Sequence, residues 1–252
     1  MNGEERLRYV VEELARTGRV GVAELARDAG ASEMTIRRDL DLLQSQGLLR
    51  RVRGGAVGVV QRGEIIPFAL RDKQGAEVKR RIAAVVAELI SDGEAVALDN
   101  GTTCLAIARE LAGRAITVMP LSLHSAVVLG ESARTKLILP GGEVSSPELA
   151  SYGAMAEAAV RGLHFDTAVV SSCAAMPADG LTTNTLADNA MKRALIASSA
   201  RVLLAIESVK LERTAMVTVA GVEAVDVLVT DADADPDALE VYRAAGAEIR
   251  LA

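Results

Sequence analysis

Apolar residues recur along the first 45 positions with the spacing of helices that each bury one face. Leu7, Val10, Val11 and Leu14 fall at i, i+3, i+4 and i+7. Glu4 and Glu5 stand in the opening turn of that segment, where carboxylates suit the helix dipole. Val22, Leu25, Ala26 and Ala29 repeat the pattern over a shorter helix, which Gly30 ends. Ser32 is placed to cap a third helix, whose apolar stripe is Ile36, Leu40 and Leu43. At about 100° per residue its opposite face carries Met34, Arg38, Asp41 and Ser45, with Thr35 and Arg37 on the flanks. After Gly47 the period changes. Leu48 to Arg53 alternates as a strand, and Gly54-Gly55 permits a tight turn.

Beyond Ala56 the helical period is lost until Gln74, and the first proline of the chain is Pro67. From Gln74 to Ile90 a helix is predicted with Val78, Ile82, Val85 and Leu89 on one face. Short apolar runs then alternate with helical segments. The runs are 95–98, 116–119, 137–139, 167–170, 202–206, 216–219 and 225–230, and the helical segments include 104–112, 122–129, 155–162, 186–198 and 236–245. Such alternation predicts a largely parallel sheet buried on both faces. The expected architecture is thus α/β: a winged helix-turn-helix over residues 1–57, a linker over 58–72, and a Rossmann-like α/β domain over 73–252.

Charge sharpens this division. The net charge is −6, but residues 1–62 carry eleven arginines, no lysine and nine carboxylates, net +2, leaving −8 for the rest. Between Arg37 and Arg53 five basic residues meet two acidic ones. An acidic body with a locally basic head suits selective binding to a polyanion. Ser32, Glu33, Met34, Thr35, Arg37 and Arg38 would present the groove-entering end of a recognition helix. Arg50, Arg51 and Arg53 would clamp phosphates from the wing. A protein-docking module with a solvated charge face is the rival reading of the same residues.

Half of the residues are hydrophobic but only 2% are aromatic, so aliphatic side chains must fill the core. The amino end is acidic and polar, unlike a secretion signal. The longest apolar stretch, 115–130, falls short of the ~20 residues of a membrane helix. Cys104 and Cys173, with His124 and His164, show no zinc-ligand spacing. A cytoplasmic chain without cofactor, metal or membrane partner is expected.

In parallel α/β sheets, ligands sit beyond the carboxyl ends of the strands. The residues following the first five runs are Asp99-Asn100-Gly101-Thr102-Thr103, Pro120-Leu121-Ser122, Pro140-Gly141-Gly142-Glu143, Ser171-Ser172-Cys173 and Glu207-Ser208-Val209-Lys210. The first is the strongest candidate. Gly101 lets a ligand approach the backbone, the threonines add hydroxyls, and a helix beginning at about Cys104 would favour an anion such as a phosphate. Lys210 would supply a mobile positive charge to the same crevice.

The block from Ala31 to Leu40, with Gly47-Leu48-Leu49-Arg50-Arg51 and Gly54-Gly55-Ala56, resembles the DNA-binding signature of DeoR-type bacterial transcriptional regulators. The resemblance implies that Glu33 and Met34 help choose bases. It extends through Glu77-Val78-Lys79, Leu98 to Thr103, Gly141-Gly142, Gly153, Asp166, Gly180 to Thr183, Lys192-Arg193-Ala194 and Lys210. It implies an effector domain similar in fold to ribose-5-phosphate isomerase, adapted to sense phosphorylated sugars or related metabolites. Asp99, Gly101, Thr102, Thr103, Gly141, Gly142 and Lys210 would surround the effector, and Ser122 joins them from its strand end. Three departures alter the pocket: Pro120-Leu121 stands in place of Thr-Asn, Glu207 in place of aspartate, and Ser172-Cys173 in place of an apolar-glycine segment. The first points to a less hydroxylated effector.

The expected function is a homo-oligomeric transcriptional regulator, a repressor that a phosphorylated metabolite releases from operator DNA. One recognition helix offers too few base contacts, so dimers would double the half-sites. The alternative is a sugar-phosphate isomerase or hydrolase with a regulatory head, with Asp99, Glu143, Asp188 and Glu207 as its acids and bases.

Overall fold

The computed structural model describes residues 1–45, 49–58, 68–146 and 148–252, and within these the side chains other than those of Glu4, Ala15, Arg16, Arg50, Ala69 and Leu70. The chain divides into two compact units.

The first unit begins with α1 (Gly3–Thr17), which opens on a capping box: Asn2 accepts from the Glu5 N–H and Glu5 accepts from the Asn2 N–H. It continues through β1 (Arg19–Gly21), α2 (Val22–Ala29), α3 (Glu33–Ser45), β2 (Leu49–Val52) and β3 (Gly55–Gly58). Gly30, left-handed at φ 62°, ends α2, and the Ser32 hydroxyl starts α3 by accepting from the Thr35 N–H at 3.1 Å. Val10, Leu14, Leu25, Ile36, Leu40, Leu43 and Leu49 make one core. Val11, at the edge of its stripe, is 38% exposed instead. The hairpin pairs β2 with β3 from Leu49↔Gly58 to Val52↔Gly55. β1, which the sequence pattern does not announce, pairs with the other edge of β3. Asp39, on the buried side of α3, receives Arg6 of α1 at 2.5 and 3.2 Å. The break expected at Gly47 lies outside the described residues. So does most of the expected linker, including Pro67; its last part forms a helix, α4 (Phe68–Lys73), too short to register as periodicity.

The second unit runs α5 (Ala76–Leu89), β4 (Ala95–Leu98), α6 (Thr102–Leu111), β5 (Thr117–Pro120), α7 (Leu123–Gly130), β6 (Lys136–Leu137), β7 (Glu143–Ser145), β8 (Ala150–Tyr152), α8 (Gly153–Arg161), β9 (Phe165–Val170), β10 (Leu181–Thr183), α9 (Leu186–Ala197), β11 (Ser199–Ala205), β12 (Val217–Ala220), β13 (Val227–Thr230), α10 (Pro236–Ala244) and β14 (Glu248–Leu251). Seven strands form one parallel sheet in the order β14-β13-β11-β9-β4-β5-β6. Alternate side chains feed two cores. Val96, Leu98, Val169 and Leu203 pack with α5, α6 and α7. Ala97, Ala168, Val170 and Leu204 pack with α8, α9 and α10. This is the doubly covered sheet that the apolar runs predict.

Two corrections concern its margins. The run 216–219 forms a strand, but β12 pairs antiparallel with β10 outside the main sheet. Strand β14 and the hairpin β7–β8 escape the sequence reading, because Glu248–Leu251 and Glu143–Ser145 are polar and mostly exposed. From β4 the chain moves outward through β5 and β6, then returns to the other side of β4 as β9. The carboxyl ends of β4 and β9 therefore flank the topological switch point.

Substituting Asp39→Ala is expected to destabilise the first unit by about 2–3 kcal/mol, somewhat less than for a fully sealed pair. Hydrogen exchange on the full-length chain should quicken across α1 and α3 and stay unchanged in the seven-stranded sheet.

Candidate nucleic-acid interface and ligand site

Helix α3 has two distinct sides. Ile36, Asp39, Leu40 and Leu43 are buried, whereas Ser32, Glu33, Arg37 and Arg38 are exposed and Met34 is 61% exposed. Thr35 is half-buried, and its hydroxyl lies 2.9 Å from that of Ser32. Arg37 donates to Glu33 one turn earlier at 3.1 Å. In the wing the three arginines part company. Arg53 is exposed at the hairpin turn. Arg51 turns onto α3, donating to the Arg37 carbonyl at 3.1 Å and facing Asp41 at 3.3 Å. The Arg50 side chain lies outside the described residues.

In the second unit the switch point is closed by Asp99, which is fully buried. Its N–H donates to the Val169 carbonyl at 3.0 Å, and its Oδ2 accepts from the Ser171 N–H at 3.0 Å. Its Oδ1 accepts from the Asn100 N–H at 2.8 Å. Lys192 of α9 forms an ion pair with Asp99 Oδ2 and lies 3.5 Å from Asp188 Oδ1. Asp188 in turn accepts from Asn100 Nδ2 at 2.8 Å and from the Thr183 hydroxyl. Burial disfavours the Lys192 ammonium, but Asp188 and Asp99 outweigh it and raise its pKa above that of an ordinary lysine. Lys192 is held charged.

The expected ligand residues take different roles. Gly101 occupies the N-cap of α6 at φ 104° with no side-chain cap, so the helix starts at Thr102, two residues earlier than predicted. The first N–H groups of α6 consequently face no capping side chain. Thr102 and Thr103 are buried, and the Thr103 hydroxyl has no hydrogen-bond partner among the described residues. Cys104 in the same turn is sealed in; burial pushes its thiol well above the ordinary value. Ser122 caps α7 by accepting from the His124 N–H at 3.2 Å and donates to the Glu148 carbonyl at 3.0 Å. Leu121 beside it belongs to the core. At Gly142, left-handed at φ 86°, a Cβ would meet the Tyr152 carbonyl at 2.6 Å, so packing alone requires glycine there. Gly141 is exposed beside Met155. Lys210 ends a 3-10 turn after β11 and lies 3.3 Å from Glu207 Oε1. Among the described residues no group of three or more His, Cys, Asp or Glu is placed to hold a metal ion. No helix among them is long and apolar enough to cross a membrane.

Lys192 and Asn100 are the residues whose part sequence reasoning missed. A signal existed: Asp188, Met191, Lys192 and Leu195 fall at i, i+3, i+4 and i+7, so two opposite charges occupy an apolar stripe. Lys192→Met should leave two buried carboxylates facing each other and cost about 3–5 kcal/mol. Adding Asp99→Asn should recover part of that loss in urea unfolding of the same chain.

Two domain families match the chain. Residues 6–62 match the DeoR-like helix-turn-helix domain, and residues 74–232 match the DeoR C terminal sensor domain. The HTH-type transcriptional regulator GlpR of Haloferax volcanii is 32% identical over 97% of this chain and 96% of its own length. A putative aga operon transcriptional repressor of Escherichia coli O157:H7 is 28% identical over 98% of this chain and 93% of its own. Among solved structures, ribose 5-phosphate isomerase A of Methanocaldococcus jannaschii aligns with a TM-score of 0.41 at 12% identity, over 54% of this chain and 55% of that one. With both halves matched in this order, the chain belongs to the DeoR family of transcriptional regulators.

Proposed function

We propose that the chain is a repressor that binds operator DNA as a homo-oligomer and is released by a phosphorylated sugar or related metabolite. The observation that carries this reading is the two-sided α3. One side is sealed into the core, while Glu33, Met34, Arg37 and Arg38 stand in solvent at its amino-terminal half. That end of a recognition helix meets base edges, and guanidiniums on its flank meet phosphates. Arg53 extends the contact from the wing, and Arg51 braces the helix. The name of the E. coli relative, a putative repressor, supports the sign of regulation.

The effector site in this proposal is the uncapped start of α6. N–H groups without a capping side chain, the dipole of the helix, the Thr103 hydroxyl and the ammonium of Lys210 together suit a phosphate. Asp99 acts behind this cradle, holding the loop in place with both carboxylate oxygens already engaged. Such engagement also favours a sensor over an enzyme, since Asp99 and Asp188 are tied to Lys192 and Glu143 is exposed on β7. Binding would favour one arrangement of the protein and so shift the DNA-binding population.

Arg38→Ala should weaken operator binding and lower the salt slope by roughly 0.9 for each phosphate that the variant no longer neutralises. Fluorescence anisotropy across a salt series checks this, and an unchanged slope and affinity would remove α3 from the interface. Thr103→Val should leave operator affinity intact while blunting release by sugar phosphates in a gel-shift titration. A wild-type response would mean that the cradle lies elsewhere.

A further inference from the structure

A second charged cluster lies at the carboxyl end of β11. Two ammonium groups converge on a single oxygen, Glu207 Oε1: Lys210 at 3.3 Å and Lys79 of α5 at 3.8 Å. Lys79 is only 3% exposed, so water screens its charge far less than that of a surface lysine. The turn carrying Glu207 and Lys210 is fixed from below. Asp231 accepts from the Ser208 N–H at 2.8 Å and from its hydroxyl at 2.6 Å, and the Lys210 carbonyl accepts from the Ala175 N–H at 2.8 Å. Strand β11 lies beside β9, and β9 beside β4, all parallel, so the turn after β11 and the start of α6 after β4 open at the same edge of the sheet.

We propose that Glu207 is a displaceable internal counter-ion, holding the position between Lys79 and Lys210 that the effector's anionic group takes, and that Lys79 is a second anion contact. This rests on the reading of the α6 start as the effector's anion site. The Glu207 side chain keeps 14% exposure and three rotatable bonds, so its carboxylate can swing outward while the fixed turn stays in place. A phosphate dianion brings to the two ammonium groups twice the charge of the carboxylate it replaces. A monoanion gains nothing over Glu207. The exchange therefore sets the concentration at which the sensor responds and selects phosphate over carboxylate ligands.

The test is calorimetric titration of the full-length chain at pH 7.5 with inorganic phosphate and, separately, formate, each against chloride at matched ionic strength. Wild type should bind phosphate and not formate. E207Q should bind phosphate at least about tenfold more tightly, the scale of one close charge partner removed, and should accept formate as well. Lys79→Met should weaken phosphate by a similar factor, which also answers the question should E207Q fail to fold. If phosphate binds wild type and Lys210→Ala abolishes it, but E207Q and Lys79→Met leave its affinity unchanged, the anion site stands and the counter-ion falls. Phosphate binding to neither wild type nor E207Q would remove both.

Discussion

The carboxylate of Asp99 is the constraint on which the strand ends of the second unit depend. It sits where β4 and β9 part company, and it joins the two by accepting from the Asn100 N–H on one side and the Ser171 N–H on the other. A fully buried charge there is tolerable only with an equally buried partner, and Lys192 supplies it from α9. The helix on one face of the sheet is thereby locked to the loop at its edge. Asn100 passes the constraint on to Asp188, and Asp188 to Thr183. The loop between β4 and α6 has almost no freedom left, so the first turn of α6 is displayed in a set position.

Much of this was legible in the chain itself because apolar periodicity survives in every long element. The stripes of α2 and α3 and the apolar runs that became β4, β9, β11 and β13 stand out against their neighbours. Elements that bury little left no such trace: β1, β7 and β14 are short and polar, and α4 has too few residues for a period. The candidate site was legible only as a neighbourhood. Gly101-Thr102-Thr103 announces a polar turn after a strand, but which hydroxyl is open depends on distant chain. Ser122 is consumed by its own helix and by Glu148, and the Lys192–Asp99 pair spans 93 positions that no local pattern connects.

Polar groups at the strand ends thus fall into two sets. Asp99, Asp188, Lys192 and Ser122 are used to build the loops, with their hydrogen-bonding capacity directed into the protein. The α6 N–H groups and the Thr103 hydroxyl keep capacity to spare among the described residues, and Lys79 and Lys210 crowd one oxygen of Glu207. On the proposed reading, a sensing surface made from the second set can change without disturbing the first.

The placement of Arg51 has a consequence for how the head meets a duplex. By bonding to the Arg37 carbonyl and approaching Asp41, it ties the hairpin strand to the neighbouring helix. On the proposed reading, helix and wing dock as a preassembled clamp, with little ordering entropy left to lose at the encounter. Discrimination between one promoter and another comes, on that same reading, from the side chains the clamp displays, rather than from any folding on contact.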